Sequence, residues 1–303
     1  MTMPLRRVSV RHGQSEANVV QKELLHTLEP ETIAEIYARP DWMQRLSPLG
    51  IEQAKQAGDW IRQHIGALAS FDVIYVSSFL RTFETASYAA GDEKVALTPD
   101  DRIIERDWGL YGKLSKADQK RFYPDTHRNK TLDPFFARLN SGESNMDVYL
   151  RWRDMAGTMH REYPDGSVLM FTHGDYMMTD LYASARMLPE EFVAMVRDSS
   201  FDMFNCSLTD RTRQNPNDPE DIRNKPTWLR IVHTTAPELS PNGGEWVELK
   251  SKRTYSVQEG LGRVAAAPTL LPEGLLDQLR ATERKKLEAR ARELDILLHD
   301  DRR

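Results

Sequence analysis

The sequence predicts an α/β protein: a three-layer sandwich with a mostly parallel central sheet flanked by helices, carrying cap insertions and a C-terminal helical extension. Three observations predict it. Apolar runs of strand length (Val8–Val10, Val73–Val76, Val168–Phe171) alternate with stretches of helical period, a rhythm that builds parallel sheets. The run Val168-Leu169-Met170-Phe171 is continuous rather than alternating, as expected of a strand buried on both faces. Two of these runs end in His-Gly, at His12-Gly13 and His173-Gly174.

The first run leads into Arg11-His12-Gly13-Gln14-Ser15-Glu16-Ala17-Asn18. Gly13 lets the backbone turn sharply and approach a ligand. Ser15 and Asn18 place hydrogen-bonding groups where a helix begins, and helix N-termini favour anions. The stretch reads as a phosphate site, although an isolated Arg-His-Gly equally fits a buried histidine beside a surface arginine. Residues 19–46 are polar and read as an irregular insertion of the kind that carries substrate loops, with His26 a solvated loop residue.

Ser47 as N-cap and Pro48 at the first helical position open a helix, whose apolar face (Ile51, Ala54, Ala57, Ile61) runs to about Ile65. Phe71–Val76 follows as a strand ended by Ser77-Ser78. Arg81 then falls in the first turn of the next helix, at a strand end facing the same crevice as Arg11 and His12. Two guanidinium groups suit a phosphate because each offers a planar fork and keeps its charge. A solvated helix arginine is the plainer reading of Arg81 alone.

Val95–Thr98 and Arg102–Ile104 bracket a short turn before Glu105-Arg106-Asp107-Trp108. A carboxyl group against a partly apolar wall gains proton affinity, which is what a general acid needs. Residues 113–142 are basic and aromatic and read as a cap over the pocket, or for most of the charges as a solvated face. Gly142-Glu143-Ser144 starts a helix through Val148, Trp152, Met155 and Met159. Beyond His173 come helices over Tyr176–Met187 and about 189–198, a strand over Phe201–Leu208, a surface loop over 215–219 and a strand over Trp228–His233.

Composition changes near Pro237, which divides the chain into a main domain over 1–236 and an extension over 237–303. In the extension, Trp246–Leu249 reads as a short strand and 273–299 as a helix with Leu276, Leu279, Leu287, Leu294 and Leu298. Its balanced charge argues for packing on its own domain, on a partner or on a second copy, and against a lipid anchor.

Hydrophobic residues make up 40% and charged residues 29% of the 303, the balance of a globular domain in water. No apolar run approaches the roughly 18 residues that span a bilayer, and no signal-length apolar block stands at the N-terminus, so no membrane association and a cytoplasmic setting are expected. The net charge of −5 argues against a nucleic-acid partner. Cys206 is the single cysteine, which excludes an intrachain disulfide and reads as a buried structural thiol.

Taken in order, RHGQSEAN (11–18), SSFLRTFETA (77–86), ERDWGLYG (105–112), GES (142–144) and FTHGD (171–175) resemble the histidine phosphatase superfamily, the phosphoglycerate mutase-like fold, over about residues 5–235. The resemblance implies His12 as nucleophile forming a phosphohistidine and Glu105 as general acid and then base. It implies Arg11, Arg81, Asn18 and His173, with Ser15 a weaker candidate, as the phosphate-holding shell. Arg106 and Lys116 become candidate substrate contacts. No metal or other cofactor is implied, because arginine and histidine supply the positive charge, and the strand ends lack the converging carboxylates of a metal phosphatase. The expected partner is a phosphorylated small molecule.

True mutases resemble the chain at Glu105-Arg106 and Lys116 but clamp a carboxylate with paired arginines and a proline-rich stretch; here His127-Arg128-Asn129-Lys130-Thr131-Leu132-Asp133-Pro134 lacks that pair. Asp175 stands where asparagine is common and Trp108 where mutases have tyrosine. A phosphomonoesterase is therefore favoured over a mutase-type phosphotransferase, or over a partner-binding protein using the C-terminal helix.

Overall fold

The computed structural model describes residues 2–22, 28–114, 116–198, 202–249, 254–267 and 270–300. Strand β1 (Arg6–Arg11) is the middle of the sheet, and its alternation explains why. Val8 and Val10 are buried on one face while Arg7 and Ser9 are buried on the other, so both faces are covered. Helix α1 (Glu16–Lys22) follows at once, and α2 (Pro30–Ala38) starts with Pro30 in its first turn. The described residues of 19–46 are therefore largely helical rather than irregular, because Pro30 presets the first turn of α2 and Ile36 is its one buried side chain. His26 lies outside the described residues.

Helix α3 (Pro48–His64) is capped by Ser47, whose hydroxyl accepts from Gly50 N at 3.1 Å. Gly13 and Gly50 are in backbone contact, and a Cβ on either would run into the main chain of the other's segment. That close approach seats the turn after β1 on the start of α3. Strand β2 (Val73–Val76), helix α4 (Leu80–Ala90) and β3 (Thr98–Pro99) come next. Then follow α5 (Lys116–Phe122), α6 (Pro124–Leu132), α7 (Asn145–Glu162), β4 (Ser167–Thr172), α8 (Gly174–Ala185) and α9 (Pro189–Arg197). Ser144 and Asp147 form a reciprocal capping box at the start of α7.

Strand β5 covers Ser207–Thr212, later than the expected Phe201–Leu208, because Cys206 adopts a left-handed φ of 57° that cannot continue a strand. Phe201 lies outside the described residues; Cys206 is a free, buried thiol. The stretch expected as a loop over 215–219 is a hairpin of β6 (Gln214–Asn215) and β7 (Asp218–Ile222), paired antiparallel. The Asn215 side chain accepts from Asn217 N at 3.0 Å and forms the turn that joins them. Strand β8 (Trp228–His233) and β9 (Val247–Glu248) complete the main sheet.

The seven-stranded order is β3-β2-β4-β1-β5-β8-β9. The β2–β3, β2–β4 and β1–β4 pairings are parallel, and β1–β5, β5–β8 and β8–β9 are antiparallel. One core lies on the α3 and α4 face, with Val8, Val10, Ile61, Ala86, Leu169 and Phe171. The other, on the α7 and α8 face, holds Val73, Tyr75, Met155, Met159, Met170 and Tyr176. Pairing of β9 with β8 carries the sheet past Pro237, and the first compact unit runs Met1–Ser251.

The second unit, Lys252–Arg303, contains α10 (Val257–Ala265), which the sequence reading did not anticipate, and α11 (Leu276–Asp300). Leu276, Leu279, Leu287 and Leu294 of α11 are exposed. Among the described residues no helix is long and apolar enough to cross a membrane.

Beneath the site, Arg7 of β1 and Arg211 of β5 share the buried carboxylate of Asp180 on α8, at 2.5 and 2.7 Å. The Trp152 indole donates to the same carboxylate at 2.6 Å. Removing one partner of a buried ion network strands the others, so Asp180→Ala is expected to cost about 3–5 kcal/mol. Chemical denaturation read by circular dichroism checks it; a loss below about 1 kcal/mol, the size of an exposed pair, would assign the network no structural weight.

Candidate active site

The site is assembled at the carboxyl ends of β1, β2 and β4, where adjacent parallel strands diverge into separate connections. His12 directly follows β1, and its backbone N–H bonds Thr172 O at 3.0 Å, extending the ladder with β4. Its Nδ1 lies 2.7 Å from Gly13 O. A carbonyl only accepts, so that nitrogen carries the proton and Nε2 presents a lone pair. Arg81 Nε donates to Nε2 at 3.3 Å. Burial, then the charges of Arg81 and Arg11, hold the imidazole pKa well below the ordinary histidine range, so the ring is neutral at physiological pH.

Arg81 lies in the first turn of α4 and is 4% exposed. Its Nη2 lies 3.3 Å from His173 Nδ1, and its guanidinium sits 4.8 Å from the Phe79 ring centroid. His173 stands at the N-cap position of α8 and is fully buried. Its Nε2 meets Ser77 Oγ at 2.8 Å, which leaves Nδ1 to accept from Arg81. The His12 and His173 rings meet edge-on, 5.1 Å apart.

Glu105 reaches the same point from the segment after β3. Its Oε1 accepts from Arg106 N at 3.0 Å and Asp175 N at 3.2 Å. Burial, then the charge of Asp175, raise its pKa to about 7 against the opposing pull of Arg11 and Arg81. Arg151 of α7 holds the Glu105 segment in place, donating to Arg102 O at 2.8 Å and Ile104 O at 3.2 Å. A ligand atom from each of His12, Glu105 and His173 falls within one 4.8 Å group. By distance alone that trio could meet a metal ion. Arg81 contacts both rings and Arg11 adds a second, partly buried guanidinium, so the donor set suits an anion.

Arg11 ends β1 with its Nη1 donating to Met203 O and its Nε, buried and unpartnered, beside Gly174. Asn18 and Ser15 bond reciprocally across the first turn of α1, each backbone N–H to the other's side chain at 3.2 Å. Asn205 Nδ2 donates to His12 O at 3.0 Å and Asn18 Oδ1 at 3.3 Å, tying Asn18 to the histidine. Ser15 and Asn18 are thus near His12 but bond chiefly the helix start and each other. Arg106 is not gathered with them: its guanidinium donates to Glu143 O at 2.9 Å and Ala137 O at 3.3 Å and lies over Trp108. Lys116 opens α5, and its side chain lies outside the described ones.

Sequence reasoning missed Asp41, Ser77 as a histidine partner, and Asn205. Asp41 is bonded to Arg81 through its carbonyl and both carboxylate oxygens.

The family model of the histidine phosphatase superfamily (branch 1) matches residues 8–215. Phosphoserine phosphatase 1 of Hydrogenobacter thermophilus is 28% identical over 167 residues, 55% of this chain and 69% of that protein. A 2,3-bisphosphoglycerate-dependent phosphoglycerate mutase of Methylorubrum extorquens is 27% identical over 147 residues, 48% of this chain and 61% of that protein. The native structure of a mycobacterial glucosyl-3-phosphoglycerate phosphatase superposes with a TM-score of 0.54 at 22% identity, over 75% of this chain and 96% of that one, a likeness of fold.

Proposed function

This chain belongs to the histidine phosphatase superfamily (branch 1), and on that footing we propose that it is a metal-independent phosphomonoesterase acting on a small phosphorylated metabolite through a phosphohistidine on His12. One observation carries the reading: a neutral imidazole whose unprotonated Nε2 faces Arg81, a carboxyl group with its pKa raised to about 7 and a second histidine converge around one arginine. The phosphoryl group binds between Arg11 and Arg81, against the His173 ring that orients Arg81, with Asn18 at the rim and Ser15 behind it. His12 Nε2 attacks phosphorus in line while Glu105 gives its proton to the leaving oxygen. Glu105, now ionised, takes a proton from the water that attacks the phosphohistidine. Arg81 and Arg11 stabilise the charge on the equatorial oxygens in both steps, the role a metal otherwise serves.

Hydrolysis rather than transfer is supported by the stretch over 127–134. His127 Nδ1 lies 2.9 Å from Tyr111 OH, and Arg128 pairs with Asp125 at 3.1 Å on the surface. Lys130 lies over the Trp108 ring at 4.5 Å. None of the three offers the paired guanidinium fork that would hold a glycerate carboxylate. Incubation with a panel of phosphorylated metabolites in excess EDTA is expected to release inorganic phosphate at the same rate as without chelator. Added 3-phosphoglycerate should capture only a minor share of the phosphoryl groups; dominant transfer would establish the mutase, and loss of activity in EDTA would establish a metal requirement.

A further inference from the structure

The geometry points to Asp41 as a specificity-determining residue that selects leaving groups without a second negative charge. The assignment rests on the phosphoryl site proposed above and adds the class of ester that it takes: one whose non-phosphate part is neutral or cationic.

The guanidinium of Arg81 has two usable edges. Its inner edge, Nε and Nη2, faces His12 Nε2 and His173 Nδ1, each at 3.3 Å. Its outer edge, Nη1 and Nη2, is forked by the Asp41 carboxylate at 3.0 and 3.2 Å, and Nη1 also donates to Asp41 O at 2.7 Å. A phosphoryl group reaching His12 takes the inner edge, so the carboxylate need not leave. The Asp41 side chain is 61% exposed whereas that of Arg81 is 5% exposed, which puts the carboxylate on the solvent side of the arginine. An ester whose phosphorus lies against His12 therefore extends outward past a fixed anion one guanidinium width away.

The surroundings keep that anion in place. Gln44, three residues on, is buried and donates to Ile36 O at 2.7 Å. Glu84, on the same helix as Arg81, accepts from Leu46 N at 2.7 Å and from Arg45 Nε at 2.6 Å. Arg39 pairs with Glu16 at 2.5 Å. The turn carrying Asp41 is thus tied to α1, α2 and α4, and Trp42 beside it is half-exposed, an apolar surface for an uncharged group. A carboxylate-bearing leaving group is repelled here, while a hydroxyl or ammonium group is accepted.

The test compares two non-hydrolysable ligands of similar shape, propylphosphonate and 3-phosphonopropionate, by calorimetry on the full chain, so that turnover is not needed. The unsubstituted protein is expected to bind propylphosphonate about fiftyfold more tightly, as two like charges about 7 Å apart require at the effective dielectric constant of about 20 near a protein surface. Asp41→Asn and Asp41→Ser should close that gap by tightening the carboxylate ligand, and Asp41→Glu should keep it. An equal preference in the neutral variants and the unsubstituted protein overturns the assignment, as does the absence of any preference to begin with. Loss of both ligands in Asp41→Asn and Asp41→Ser alone would make Asp41 a support for Arg81 and not a selector. Failure of the unsubstituted protein to bind either ligand overturns the phosphoryl site itself, and this inference with it.

Discussion

Replacing His12 by alanine is expected to lower phosphatase turnover by about 10⁴-fold or more, the scale on which removal of a covalent nucleophile is felt. The size follows from how little else in the site can attack. His173 is spent on both sides, with Nε2 against Ser77 Oγ and Nδ1 accepting from Arg81. Cys206 is buried, and burial pushes its thiol up to about 12, so no thiolate is at hand. The decisive measurement is a labelled ester quenched in base: label on the unsubstituted protein should survive base, be lost in acid as a P–N bond is, and be absent from His12→Ala. Label that persists in the variant would move the nucleophile elsewhere. Loss of turnover with ligand binding retained would separate attack from binding, because Arg11, Arg81 and His173 keep their places in the variant.

Much of the fold was legible because two of its inner strands, β2 and β4, are buried on both faces and read as apolar runs. Val73–Val76 and Ser167–Thr172 are each flanked by cores above and below the sheet, and no polar alternation dilutes them. What escaped is short or polar. β3 is two residues long, below any period, and the β6–β7 hairpin is polar apart from Ile222 and its prolines, whereas β9 falls inside the short strand expected over Trp246–Leu249. Helix α2 buries a single residue, so its face is too narrow to read.

The site divides along the same line. Arg11, His12, Arg81 and His173 stand at or just after strand ends, where a parallel sheet aims side chains at one crevice, and chain order alone suffices to collect them. Asp41 meets Arg81 across 40 residues of sequence with no local pattern between them. Asn205 sat inside what read as a strand; the left-handed turn at Cys206 frees it to reach His12 O. Arg106, a candidate substrate contact by its place beside Glu105, has a guanidinium that donates to two carbonyls from the 137–143 stretch, contacts that no local sequence pattern announces.

Glu105→Gln separates the two chemical steps, and its effect depends on the leaving group. Glutamine keeps the shape and can still accept from Arg106 N and Asp175 N through one oxygen, but it carries no transferable proton. For an alkyl phosphate, whose leaving alkoxide is strongly basic, the phosphorylation step should slow by about 10³-fold, within the usual span for general acid catalysis. For p-nitrophenyl phosphate the leaving group departs unaided, so phosphorylation stays fast and hydrolysis of the phosphohistidine, now without a base, becomes limiting. Stopped-flow should then show a burst of nitrophenol followed by slow turnover. The pH profile carries the same signature. Because the Glu105 pKa is raised to about 7, its acid form is present below that pH and lost above it, so kcat/KM for alkyl phosphates should fall as pH rises through about 7. His12, held well below the ordinary histidine range, sets the acid limb at lower pH. In Glu105→Gln the limb near 7 should vanish while the acid limb remains; equal slowing of both esters with that limb intact would assign the proton to another group.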